Sequence, residues 1–89
     1  MVEKALTVEF FFAGGCSKCA EGREALREAA QSAAKVEWKE IDVGKNPNRA
    51  VEVGVVSTPA VAIDGDLVFK TAPTASELQS AIQARAGRR

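Results

Sequence analysis

Residues 6–19 read Leu6-Thr-Val-Glu-Phe-Phe-Phe12-Ala-Gly-Gly15-Cys16-Ser-Lys-Cys19, and three signals follow one another in them. Leu6 to Phe12 alternates at first and then becomes continuously apolar, which predicts a strand buried on both faces of a sheet. Ala13-Gly14-Gly15 stops it, because paired glycines let the chain turn sharply. Cys16-Ser17-Lys18-Cys19 then opens a stretch rich in Ala, Glu and Arg, predicting a helix from about Ser17 to Ala34. Cys19, Leu26, Ala29, Ala30 and Ala33 recur on it at helical spacing and form its expected inner stripe.

Downstream, Val36-Glu37-Trp38-Lys39-Glu40-Ile41 alternates apolar with charged residues and predicts a half-exposed strand. Asn46-Pro47 reads as a helix cap followed by proline in the first turn, opening a short helix that ends by Gly54. Ala60 to Ile63 is a third strand, and Asp64-Gly65 a hairpin turn that returns Leu67-Val68-Phe69 antiparallel. Thr74-Ala75-Ser76-Glu77 has the spacing of a capping box, with Leu78, Ala81 and Ile82 on one face of the last helix. The order is strand, helix, strand, helix, strand, strand, helix. The early strand–helix–strand unit implies parallel pairing and the final hairpin an antiparallel edge, giving one layered α/β domain over residues 1–86.

The 89 residues suffice for one domain with a modest core. Hydrophobic residues make up 46% and charged residues 27%, an ordinary globular balance. Twelve basic and twelve acidic residues cancel, so neither nucleic acid nor an anionic membrane is an expected partner. Arg85, Arg88 and Arg89 are a local basic excess, read as a frayed and solvated tail. No apolar run approaches the length of about 20 residues that spans a bilayer. Met1-Val2-Glu3-Lys4 leads straight into the first strand without the pattern of a signal peptide, so the expected location is the cytoplasm. A reducing cytosol disfavours a permanent structural disulfide, and a close cysteine pair there is catalytic, redox-sensing or metal-binding.

Position separates these uses. Two residues between the cysteines let one helical turn bring the sulfurs into bonding range. Cys16 falls where the helix begins, and unpaired backbone N–H groups and the positive dipole end favour a thiolate there. Lys18 adds a nearby positive charge, and with Ser17 it makes up the segment expected to tune the thiolate. Cys19, one turn further in, is expected to be more buried and less ionised. Cys16 is therefore the nucleophile and Cys19 the resolving thiol. A metal site wants about four ligands. Two cysteines and no histidine would supply them only in a dimer sharing zinc or an iron–sulfur cluster, which stays open as a non-enzymatic alternative.

The chain resembles the thioredoxin superfamily over nearly its whole length. Phe10-Phe11-Phe12, the glycine turn and Cys16-Ser17-Lys18-Cys19 look like that family's active-site segment. Ile41-Asp42 with Asn46-Pro47 resembles the segment after its next strand, and Gly54-Val55-Val56-Ser57-Thr58-Pro59-Ala60 its approach to a cis-proline. The resemblance implies a minimal thioredoxin fold, with a four-stranded mixed sheet and three helices. It also implies a cis Thr58–Pro59 bond beside the cysteine pair and backbone pairing of substrate at Thr58. Phe12, Gly14, Gly15, Val56 and Thr58 make up the expected rim around Cys16, with Gly14, Gly15, Thr58 and Pro59 in contact with substrate.

The implied activity is dithiol–disulfide exchange with protein disulfides, without a bound cofactor, by a cytosolic monomer. Electrons would come from a reductase, a dithiol carrier or glutathione. The chain departs from the family's pattern: Gly15 precedes the first cysteine where thioredoxins have Trp, Ser17-Lys18 replaces Gly-Pro, and the N-terminal strand–helix extension is absent. Phe10 stands six residues before the first cysteine, where thioredoxins place a buried aspartate, and alternation turns the adjacent Glu9 to the opposite face. Thr71-Ala72-Pro73-Thr74 occupies the stretch where glutaredoxins carry a Gly-Gly pair and an acidic residue for glutathione. Glutathione-linked glutaredoxin activity is the alternative within enzymes.

Overall fold

A computed structural model describes residues 5–14, 17–71 and 73–86, with the side chains of residues 17–21 outside the description. The elements are β1 (Leu6–Phe12), α1 (Ser17–Ala33), β2 (Val36–Asp42), α2 (Pro47–Val53), β3 (Ala60–Ile63), β4 (Asp66–Phe69) and α3 (Ala75–Ala86). Together they form a four-stranded sheet in the order β2-β1-β3-β4. β1 pairs parallel with β2 from Leu6–Val36 to Phe12–Asp42, and antiparallel with β3 from Val8–Ile63 to Phe11–Ala60. β3 and β4 form the antiparallel hairpin, with an irregular register at Val61/Ala62. The minimal fold expected from the sequence is thus the fold observed.

The apolar continuity of β1 follows from its central place, covered on both faces. Leu6, Val8 and Phe10 join Leu26 and Ala30 of α1, Val61 and Ile63 of β3, and Leu78 and Ile82 of α3 in the larger core. Phe11 faces the other way and packs with Ala60, Ala62 and the residues around α2. β2 lies at an edge, so its alternate residues stay exposed or half-buried, as its charge pattern requires.

Local chemistry closes the elements. At α3 the capping box is formed in both directions: the Glu77 N–H donates to Thr74 Oγ1 (3.1 Å), and the Thr74 N–H donates to Glu77 Oε1 (2.8 Å). Asp64 and Gly65 turn the hairpin with φ of 51° and 85°, the positive values that a two-residue turn of this kind demands. α2 ends at Gly54, whose φ of 91° lets its N–H reach Ala50 O and Val51 O.

Two expectations are corrected. Asn46 occupies the N-cap position of α2, but its side chain makes no cap; Nδ2 donates instead to Asp42 O (3.2 Å). That oxygen also accepts the Asn46 and Lys45 N–H groups, so the turn after β2 claims the amide before the helix can. Arg85 is no frayed tail. It lies in the last turn of α3, where Nη1 donates to Ile63 O (3.3 Å) and pairs with Asp66 Oδ2 (3.0 Å), fastening the helix to the hairpin. Arg88 and Arg89 lie outside the described residues. Among those residues no helix is long and apolar enough to cross a membrane.

Candidate functional site

The sheet register locates the site. The antiparallel ladder of β1 with β3 reaches Phe11–Ala60, and one step beyond it Pro59 falls opposite Phe12. Proline has no N–H to give to the ladder, so pairing stops there. The Thr58–Pro59 bond is cis, as the resemblance implies. Pro59 is buried and Thr58 half-buried. The proline thus sits at the end of β1, beside the segment that runs through Gly14 into α1.

Gly14 is exposed, with open space where a Cβ would stand. Gly15 and Cys16 lie outside the described residues. The backbone of Ser17, Lys18 and Cys19 forms the first turn of α1, and their side chains lie outside the description. The helix start that the thiolate argument requires is therefore present from Ser17 onward.

Around this end of the sheet the surface is apolar. Val56, two residues before Thr58, is 88% exposed, high for a branched aliphatic side chain. It borders a groove of about 170 Å³ whose other walls include Val43, Ala50, Val55 and Thr58. A second groove, about 150 Å³, has Pro59 in its wall and runs between α1 and the start of α3. Ser57 Oγ donates to Lys70 O (3.3 Å), tying the segment before the proline to the end of β4.

Phe10, six residues before Cys16, is fully buried and stacks on Trp38 with ring centroids 5.8 Å apart. Phe12 lies 6.5 Å from the Phe10 ring, and the Arg23 guanidinium sits 5.9 Å from the Phe12 centroid. Arg23 also pairs with Glu40 at 3.7 Å. These contacts place the cation of Arg23, one turn after Cys19 on α1, a residue that the sequence reading did not single out.

Glu9 is turned to the other face, as alternation requires, but it is not solvated. It is 3% exposed, and Arg49 of α2 grips it with both arms, Nε to Oε2 (2.7 Å) and Nη2 to Oε1 (2.6 Å). The hydrogen bond to Glu9 is the main cause that raises the Arg49 guanidinium above its ordinary pKa, against the opposing cost of burial. This pair was missed from the sequence. Its one signal was a carboxylate in an otherwise apolar central strand, which demands a partner.

The comparisons agree with this geometry. The sequence model of a family described as "Thioredoxin domain" matches residues 6–83. A protein named thioredoxin from Methanocaldococcus jannaschii is 35% identical over 81 residues, covering 88% of this chain and 93% of the relative. A probable thioredoxin from Methanothermobacter thermautotrophicus is 32% identical over 78 residues, covering 86% and 92%. Among solved structures, a mutant thioredoxin from Halobacterium salinarum superposes with a TM-score of 0.77 at 22% identity. That alignment covers 89% of this chain and 73% of the other, and at such identity it speaks for the fold alone. None of these similarities supports the glutathione-linked or metal-binding alternatives.

Proposed function

The chain belongs to the thioredoxin family and is a protein disulfide oxidoreductase, and from that premise we propose that Cys16 and Cys19 are its reacting pair, with Cys16 as nucleophile. The observation that carries the proposal is the sheet register, which sets Pro59 opposite Phe12 at the end of β1, from where the chain passes to the start of α1.

The Cys16 thiolate, favoured by the free N–H groups and dipole at the start of α1, attacks one sulfur of a substrate disulfide. A mixed disulfide forms and the substrate's second sulfur leaves as a thiolate. That thiolate is a ready base for the Cys19 proton, and Cys19 then attacks the Cys16 sulfur. The Cys16–Cys19 disulfide closes, the other substrate thiolate departs, and two electrons have passed to the substrate. A dithiol carrier, reductase or glutathione reverses the state of the pair.

No carboxylate of β1 is placed to serve as the proton acceptor in the family's usual position. Phe10 fills it with a buried ring, and Glu9 is engaged by Arg49 on the opposite face. Thr58 offers backbone for pairing with an extended substrate, and Lys18 and Ser17 adjust the thiolate. We place this activity in the cytosol, in the reducing direction and by a single copy of the chain.

The test is a pair of variants assayed on a protein disulfide. Cys16→Ser is expected to abolish reduction, while Cys19→Ser accumulates a mixed disulfide linked through Cys16, visible by intact mass. Full activity in Cys16→Ser, or a trapped adduct in that variant through Cys19, reverses the assignment.

A further inference from the structure

We propose that Glu9 and Arg49 are a positioning pair: by fixing how α2 sits on β1, they set the place of the backbone from Val55 to Thr58 that receives an extended substrate. This rests on the assignment of Cys16, Cys19 and Thr58 above and names the residues that hold the receiving backbone in line.

The pair is built for direction. Glu9 is buried in the middle of β1, level with Lys39 of β2 and Ala62 of β3. Arg49 Nε and Nη2 donate to its two oxygens at 2.7 and 2.6 Å, a fork-on-fork geometry that fixes the guanidinium plane as well as its distance. Arg49 Nη1 donates to Glu52 Oε1 (3.4 Å), one turn further along α2. The guanidinium also reaches toward the hairpin, where Nη2 is 4.0 Å from the place a Cβ would take on Gly65. Stability does not require such an arrangement, since a well-packed apolar pair of similar volume serves a core as well or better. What the paired forks add is a single seat for the helix.

From Arg49 to the receiving backbone is a short way. Ala50, the next residue, is buried, and its carbonyl oxygen accepts the N–H groups of both Gly54 (2.9 Å) and Val55 (2.8 Å). Val56 and Ser57 are exposed, and Ala50, Val55 and Thr58 line one groove with them. Beyond Thr58, Pro59 is buried and β3 begins at Ala60. The segment is therefore strung between two anchors: the start of β3, fixed by the sheet, and the end of α2, fixed through Arg49. A small slide or rotation of α2 carries Ala50 O and Val55 with it. The Thr58 backbone then turns out of line with a substrate strand, and hydrogen bonds weaken steeply off their axis.

The experiment measures kcat and KM for a protein disulfide, with a small aromatic disulfide, which has no backbone to pair, as the reference. Arg49→Met and the double variant Glu9→Leu with Arg49→Met are expected to raise KM for the protein about fivefold, the loss of one substrate hydrogen bond, with kcat and the small-disulfide rate within about twofold of wild type. Arg49→Lys keeps the charge but not the fork and should fall between. The double variant separates positioning from stability: it regains resistance to urea yet keeps the raised KM. A wild-type KM in the double variant, or protein and small-disulfide rates that fall in parallel, overturns the proposal while leaving the cysteine chemistry intact. Should the double variant fail to fold, Arg49→Lys decides, and a wild-type KM there refutes the proposal.

A second measurement reads the segment without chemistry. The amide resonances of Val55, Val56, Ser57 and Thr58 are expected to shift in Arg49→Lys and in the double variant, while those of α3 on the opposite face hold. If the wild type reduces no protein disulfide, the function proposed above fails and these resonances alone decide the positioning: amides of Val55 to Thr58 unmoved in both variants refute it.

Discussion

Glu9 and Arg49 set the terms at the scale of single residues. A carboxylate in the middle of a central strand is tolerable only while its charge is matched, and Arg49 matches it with two hydrogen bonds and a further contact to Glu52. Arg49 itself keeps 39% of its side chain in water against 5% for Glu9, so its removal strands the buried partner rather than exposing a new charge. Arg49→Met should therefore cost about 3 kcal/mol, the low end for breaking a buried pair, because solvent reaches one member. Replacing both, as Glu9→Leu with Arg49→Met, should recover most of that loss in urea unfolding. Losses that simply add in the double variant would show that the two side chains act independently. The partners are 40 residues apart in sequence, and nothing local in the chain announces that α2 will lay Arg49 over β1. The demand for a partner was legible at Glu9; the partner's identity was not.

At the scale of elements the sequence is most transparent where a structure closes on its own neighbours. Thr74 and Glu77 are three apart and satisfy each other; Asp64-Gly65 turns because both residues accept positive φ. Asn46 shows the limit of such reading, since a competing acceptor at Asp42 O draws its amide away. The two glycines bounding helix behaviour make a paired prediction. Gly54 has φ of 91°, where a side chain is strained, and Gly54→Ala should destabilise by about 1 kcal/mol. Gly22 is helical with open space at its Cβ, and Gly22→Ala should stabilise by about 0.5–1 kcal/mol. For a domain of this size each kcal/mol moves Tm by roughly 4–8 °C, so thermal unfolding should separate the two variants in opposite directions. A common direction would contradict the conformations described.

For the molecule as a whole, periodicity showed β1 to be covered on both faces; the strand order and the division into two cores came with the structure, in which β3 is buried on both faces as well. The features that came only with the structure are products of packing across the chain: the grip of Arg85 on the hairpin, the Arg23–Phe12 contact and the grooves at Thr58 and at Pro59. A groove is space between elements, and no residue pattern encodes space directly. The proposed redox pair rests on the opposite kind of signal, since its spacing and its place after a strand and a glycine turn are entirely local. On the function proposed above, the Cys16–Cys19 pair carries two electrons. Equilibrating the intact protein with glutathione buffers over a range of potentials, then acid-trapping and weighing it, tests this most directly. The account expects one two-electron transition to a form two hydrogens lighter, with Cys16 joined to Cys19 in its peptide map. A chain that stays dithiol at every potential, or that ends only as a glutathione adduct without the internal bond, would contradict it.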